Sequence, residues 1–161
     1  MTDGGSAIPE VHALLRVLAA DRTVLELGTA FGVGAAALAG TARSVLTVEL
    51  DAGRATAARE RLRDCPNVEL LEGDWREVLR GRASFGLVFA DGGSPYAPAD
   101  WEAILALVEP GGLLVKDDLT PGRPIDGDRV REFLLRDPRL AAAEILTNER
   151  HAAIVAVRLP C

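Results

Sequence analysis

Residues 24–34, which read Val-Leu-Glu-Leu-Gly-Thr-Ala-Phe-Gly-Val-Gly, constrain this chain more than any other stretch. An apolar, β-prone run with an acid inside it breaks into a glycine-rich turn, which feeds directly into the alanine-rich segment 34–39. Strand, glycine turn, helix is the layout of a nucleotide-type cofactor site. The chain leaves a sheet at its carboxyl edge there, and glycines let a ligand approach the backbone. The spacing is not that of the dinucleotide fingerprint G-x-G-x-x-G. Here the glycines fall at 28, 32 and 34, with Glu26 two residues before the first.

Further landmarks follow in order. Residues 44–51 form an apolar run ending in acids, about 20 residues beyond the turn, where doubly wound folds bring a carboxylate against ribose hydroxyls. Asp51 reads as the N-cap of the next helix. Residues 68–75 end a third run in Gly73, Asp74 and Trp75; Asp74 reads either as a cofactor contact or as a helix cap, and Trp75 as a base contact or as core. Residues 85–91 form a buried-type strand ending in Asp91 with glycines after it, a ligand position rather than a packing one. Residues 109–122 place Pro-Gly-Gly before an apolar strand that ends in Asp117 and Asp118.

This series resembles the class I S-adenosylmethionine (SAM) methyltransferases, and among them the small catechol and caffeoyl-CoA type O-methyltransferases. The resemblance runs from residue 24 to residue 122. It implies an α/β, doubly wound Rossmann-like sheet of seven strands in the order 3-2-1-4-5-7-6, with strand 7 antiparallel. It also implies cofactor contacts from Glu26, Gly28, Thr29, Ala30, Phe31, Gly32, Gly34, Glu49, Asp74, Trp75 and Asp91. The resemblance assigns the ribose hydroxyls to Glu49 and the adenine amine to Asp74. Gly34 and Ala30 stand where the family often carries larger polar residues, which predicts micromolar SAM binding.

In the catechol-type family an Asp after the fourth strand and an Asp-Asn pair after the fifth hold a divalent ion. Those positions fall on Asp91, Asp117 and Asp118, a hard-oxygen set suited to Mg²⁺. The alternative is a capped loop plus one cofactor contact. The family's catalytic lysine falls on Ser94, a poor base. Lys116, one position before Asp117 on a strand, should point to the opposite face. Catalytic candidates are therefore Asp91 and His151, the latter in a hairpin expected on the ligand side or else a solvated turn residue. Tyr96 and Ser94 are candidates to line the acceptor pocket, and His12 reads as solvated.

The remaining chain supplies helical faces and, at residues 140–146 and 152–159, two strands joined by a short turn. Independently of any resemblance, this predicts a parallel sheet with one antiparallel edge strand. The 161 residues predict one domain over 1–161, with no second half for a nicotinamide cofactor. The net charge of −6 and the lack of a Lys/Arg run argue against nucleic acid. No signal peptide or membrane-length apolar run is apparent. Cys65 and Cys161 form no CxxC pair, which predicts reduced thiols and a cytoplasmic setting.

The family's cofactor-covering N-terminal helices have no counterpart before residue 6, so a homodimer lending a surface is an expectation. The leading functional reading is SAM-dependent O-methylation of a small hydroxylated or acidic metabolite, assisted by a divalent ion. The alternative is a non-catalytic SAM-binding or partner-binding domain.

Overall fold

The structure, a computed structural model, describes residues 7–91 and 97–160. The expectations for Ser94, Tyr96 and Cys161 lie outside the described residues.

Helices and strands alternate as α1 (Pro9–Leu18), β1 (Thr23–Leu27), α2 (Val33–Ala39), β2 (Ser44–Glu49), α3 (Ala52–Leu62), β3 (Val68–Glu72) and α4 (Trp75–Val78). They continue as β4 (Phe85–Ala90), α5 (Pro98–Ala106), β5 (Val108–Leu119), α6 (Arg129–Arg136), β6 (Leu140–Leu146) and β7 (Ala152–Arg158). The strands form one seven-stranded sheet in the order β3-β2-β1-β4-β5-β7-β6. All pairings are parallel except those of β7, which runs antiparallel to both β5 and β6. The antiparallel strand is thus not at the edge, as the local pattern predicts, but one place in from it. A short hairpin reverses the chain after β6, and β7 then inserts beside β5 instead of returning outside β6.

The central strands are apolar on both faces because helices cover both. On one side Leu25, Val88 and Leu114 pack with Trp101 and Ile104 of α5 and Leu134 of α6. Leu15, Leu38, Val24, Leu87 and Val115 pack on the other, under α1 and α2. Trp101 is 1% exposed and stacks on the partly buried Phe133 with centroids 5.6 Å apart, so this pair belongs to the core. His12 is half-buried, not solvated, and burial holds its imidazole below the ordinary value.

One buried cation ties the carboxyl end of β5 to the two elements that follow. Arg131 donates to both Glu144 oxygens at 2.7 and 2.9 Å, to Asp128 at 2.6 Å and to the Thr120 carbonyl at 2.8 Å. No helix among the described residues is long and apolar enough to cross a membrane.

Candidate functional site

The glycine turn is built around a buried carboxylate. Glu26 is 1% exposed on β1, and its Oε2 accepts a hydrogen bond from the Thr47 hydroxyl on β2 at 2.5 Å. Thr47 in turn meets the Thr29 hydroxyl at 2.6 Å. Glu26 Oε1 has no hydrogen-bond partner among the described residues. It lies against Gly34 in the first turn of α2, where a Cβ would collide with it, so any larger residue would have to push the carboxylate aside. Gly32 caps that helix with φ +81°, a left-handed conformation natural to glycine. Thr29 therefore spends its hydroxyl inside the sheet, and its amide donates to Val48 at 3.1 Å. Phe31 faces α3, where Arg61 donates to its carbonyl at 2.8 Å and the Arg54 guanidinium stands 6.0 Å from its ring.

Glu49, at the carboxyl end of β2, accepts from the Ala30 amide at 2.7 Å and from the Asp51 amide at 2.9 Å. It thereby clamps the glycine turn, and Ala30 takes φ +46° in the process. Each carboxylate oxygen retains a second lone pair for a ligand hydroxyl. Leu50, beside it, is 73% exposed, an apolar surface at the same strand end that sequence reading passed over. Asp51 caps α3 by accepting from Arg54 at 2.8 Å, as expected. Asp74 caps α4, accepting from the Arg76 amide at 2.9 Å through Oδ1, and also pairs with the Arg76 guanidinium. That guanidinium lies 4.7 Å from the Trp75 ring centroid, and Trp75 packs partly buried against the core.

Asp91, Asp117 and Asp118 converge, with one carboxylate oxygen from each lying within 4.8 Å of the others. Two consecutive strand residues would ordinarily face opposite ways. A bulge in β5 removes that constraint: Lys116 pairs with Ile154 and Leu119 with Ala152, so Asp117 and Asp118 stand opposite Ala153 alone. Asp118 takes φ +58° there, which Asp and Asn tolerate better than other side chains.

The bulge also overturns the expectation for Lys116. Its ammonium is buried at the cluster, donating to the Asp117 carbonyl at 2.9 Å and lying 3.7 Å from Asp117 Oδ1. That separation is an ion pair but too long for a hydrogen bond, and both Asp117 oxygens are buried without a hydrogen-bond donor among the described residues. Two orphaned Asp117 oxygens beside the carboxylates of Asp91 and Asp118 are what a divalent cation satisfies, so the residues fit Mg²⁺ or Mn²⁺.

The electrostatics agree. Burial first, then the Asp117 charge, pushes Asp91 up, with Lys116 opposing. Burial likewise raises Asp117, again against Lys116. Glu26 is raised well above the carboxylate range by burial, with the Thr47 hydrogen bond opposing and the charges of Asp91, Asp117 and Glu49 adding.

His151 lies at the same edge of the sheet, in the β6–β7 turn. Ala152 pairs with Leu119, next to Asp118, so the turn emerges beside the carboxylates. Its Nδ1 is 3.1 Å from Asn148 Oδ1. An open groove of about 610 Å³ runs from Asp118 past Thr120 to the start of α6, with Arg123 and Arg129 in its wall. Thr47 and Asn148 were not singled out as site residues in the sequence, because each reads as an ordinary strand or turn residue, and Lys116 was set aside because strand alternation pointed it to the other face.

Comparison with known proteins follows the same lines. The model of a methyltransferase domain family matches residues 25–119. Protein-L-isoaspartate O-methyltransferase 1 of Geotalea uraniireducens is 33% identical over 137 residues, covering 84% of this chain and 58% of that protein. Its Bradyrhizobium counterpart (strain ORS 278) is 37% identical over 94 residues, 57% of this chain and 42% of that protein. The chain thus spans about half the length of these curated relatives. The O-methyltransferase TomG of Streptomyces achromogenes, solved with SAM, superposes with a TM-score of 0.83 at 25% identity, covering 97% of this chain and 82% of that one. Cofactor-bound Rv0187 from MTB gives 0.79 at 25% identity, covering 96% and 83%.

Proposed function

This chain belongs to the methyltransferase domain family, and from that premise we propose that it transfers the methyl group of SAM to an oxygen of a small hydroxylated or acidic acceptor. One observation carries the reading. Glu26, Glu49, Asp91, Asp117 and Asp118 gather at the carboxyl edge of the sheet with a single ammonium, Lys116, among them. A basin of that sign attracts a donor carrying a sulfonium and an ammonium, and a divalent ion besides. The O-methyltransferase neighbours support the choice of oxygen as acceptor atom.

In this reading Glu49, already oriented by the Ala30 and Asp51 amides, takes the ribose hydroxyls. Asp74 offers Oδ2 to the adenine amine while Oδ1 holds the α4 cap, and Leu50 and Trp75 flank the base. The turn from Gly28 to Gly34 packs the methionine portion, with Glu26 beneath it. Asp91, Asp117 and Asp118 would hold Mg²⁺, which when bound makes a hydroxyl more acidic and orients it for in-line attack. His151, on the acceptor side, accepts the hydroxyl proton.

A second acceptor is suggested by the isoaspartate methyltransferases, namely a peptide carboxylate. The three carboxylates would hold an ion that makes a hydroxyl more acidic, an activation that an already ionised carboxylate does not need, so the hydroxyl reading stands first. Calorimetry of SAM binding, repeated with Mg²⁺ and with Asp117→Ala and Asp118→Ala, tests the framework. Labelled methyl transfer to a vicinal diol and to an isoaspartyl peptide then separates the acceptors. SAM binding with Mg²⁺ binding to wild type alone and diol methylation is the expected result. SAM binding with no methyl transfer to either would leave a non-catalytic domain, and failure to bind SAM would overturn the reading outright.

A further inference from the structure

The arginines around α6 divide into two kinds. Arg131 reaches Asp128 and Glu144, Arg136 reaches Asp126 at 2.6 Å, and Arg139 reaches Glu102 and Asp137 at 2.7 and 2.6 Å. Arg123, between β5 and α6, and Arg129, the first residue of α6, form no ion pair and no side-chain hydrogen bond among the described residues. Both are exposed and both line the groove that begins at Asp118. The acids in the same wall do not answer them. Asp128 is held by Arg131 and caps α6 through the Val130 and Arg131 amides, and Asp126 is held by Arg136. In a chain of net charge −6, two unanswered guanidiniums on one groove leave a local positive end.

The groove is therefore polarised: Asp118, which clusters with Asp91 and Asp117, lines one end, and the Arg123 and Arg129 guanidiniums line its wall. Its volume of about 610 Å³ lies in the range of small-molecule sites. Guanidinium forks match carboxylates with paired, charge-assisted hydrogen bonds. We propose that this groove binds the methyl acceptor and that Arg123 and Arg129 select a hydroxylated carboxylic acid, gripping its carboxylate away from the transfer point. The inference rests on the O-methyltransferase reading above. The same polarity sets direction, since the guanidiniums hold the acid end along the wall and leave the hydroxyl end to face Asp118 and the ion that the three carboxylates would hold. In the transfer, the acceptor oxygen gains the methyl and gives up its proton, while the sulfonium sulfur keeps the broken bond's electron pair as a neutral thioether.

The test compares 3,4-dihydroxybenzoate with catechol as acceptors of labelled methyl, using the full chain with SAM and Mg²⁺. Wild type is expected to favour the carboxylated diol in kcat/KM, and Arg123→Gln/Arg129→Gln to lower that preference about tenfold or more. A preference that is absent in wild type, or unchanged in the double variant, overturns the proposal. Calorimetry of 3,4-dihydroxybenzoate on the protein loaded with S-adenosylhomocysteine decides the matter independently of turnover. Binding by wild type that weakens about tenfold in the double variant supports the groove. Equal binding, or none to wild type, sinks it even if catechol is methylated. Loss of SAM binding in wild type would instead count against the methyltransferase reading itself.

Discussion

Gly34 lies against the buried carboxylate of Glu26, so that any side chain at 34 would occupy the space of Oε1. Two effects of Gly34→Ala therefore oppose each other. Alanine stabilises a helix interior by about 1 kcal/mol over glycine. Overpacking a rigid, buried contact costs about 1–3 kcal/mol. Glu26 can move only by giving up its bond to Thr47, so the clash should win. The melting temperature is expected to fall by several degrees. Combined with Glu26→Ala, the Gly34→Ala penalty should largely vanish. A stabilised single variant would contradict the contact.

The carboxylate basin predicts a pH dependence of definite sign. Burial lifts Asp117 to about 6 and Asp91 to about 8, and raises Glu26 as well. Acids with raised values hold more protons folded than unfolded. Their stabilising contribution is full below the ordinary carboxylate value, about 4, and is lost as pH rises through the folded values. Without ligands, thermal stability should fall between about pH 4 and 8. Mg²⁺ should restore more of it at pH 8 than at pH 6. Thermal melts across that range, with and without the ion, check this; stability that rises with pH would refute it.

Lys116 is the cation closest to Asp117 and so competes with any ion held there. Charges this close interact by a few kcal/mol at an effective dielectric near 20. Lys116→Met should tighten Mg²⁺ binding by about tenfold or more while lowering stability without the ion. Calorimetric titration reads the first effect and thermal unfolding the second. Weaker ion binding in the variant would mean that Lys116 supports the site rather than competing with the ion.

His151 has its neutral tautomer set by a neighbour. Asn148 Oδ1 accepts from the backbone amides of Arg150 at 2.8 Å and His151 at 3.0 Å, which identifies that atom as the oxygen. An oxygen can only accept, so the imidazole Nδ1 at 3.1 Å must carry the proton and Nε2 the lone pair. Nitrogen NMR shifts should show the Nδ1–H form in the wild type and a shift towards Nε2–H in Asn148→Ala. With an acceptor in hand, His151→Gln should lower kcat by about 10²-fold or more. A wild-type imidazole protonated on Nε2 would remove His151 as the proton acceptor.

Much of this protein was legible in its sequence. The glycine turn, the acids ending β2, β4 and β5, and the apolar strands depend on local periodicity and on where a chain leaves a sheet. They announced the architecture, and the carboxylates singled out at 91, 117 and 118 do come together. Other features depended on which neighbours the folded chain supplies. Thr47 looks like any strand threonine until β1 and β2 pair and bring it to Glu26. Gly34 looks like a weakened cofactor contact until the packing of α2 on β1 gives its missing side chain a reason. Lys116 obeys strand alternation on paper, but pairing with β7 forces a bulge that turns it and both following aspartates to one place. Arg123 and Arg129 differ from their neighbours in making no ion pair among the described residues. Periodicity is a property of the chain, whereas register, bulges and unmet charges arise only when distant segments are brought into contact.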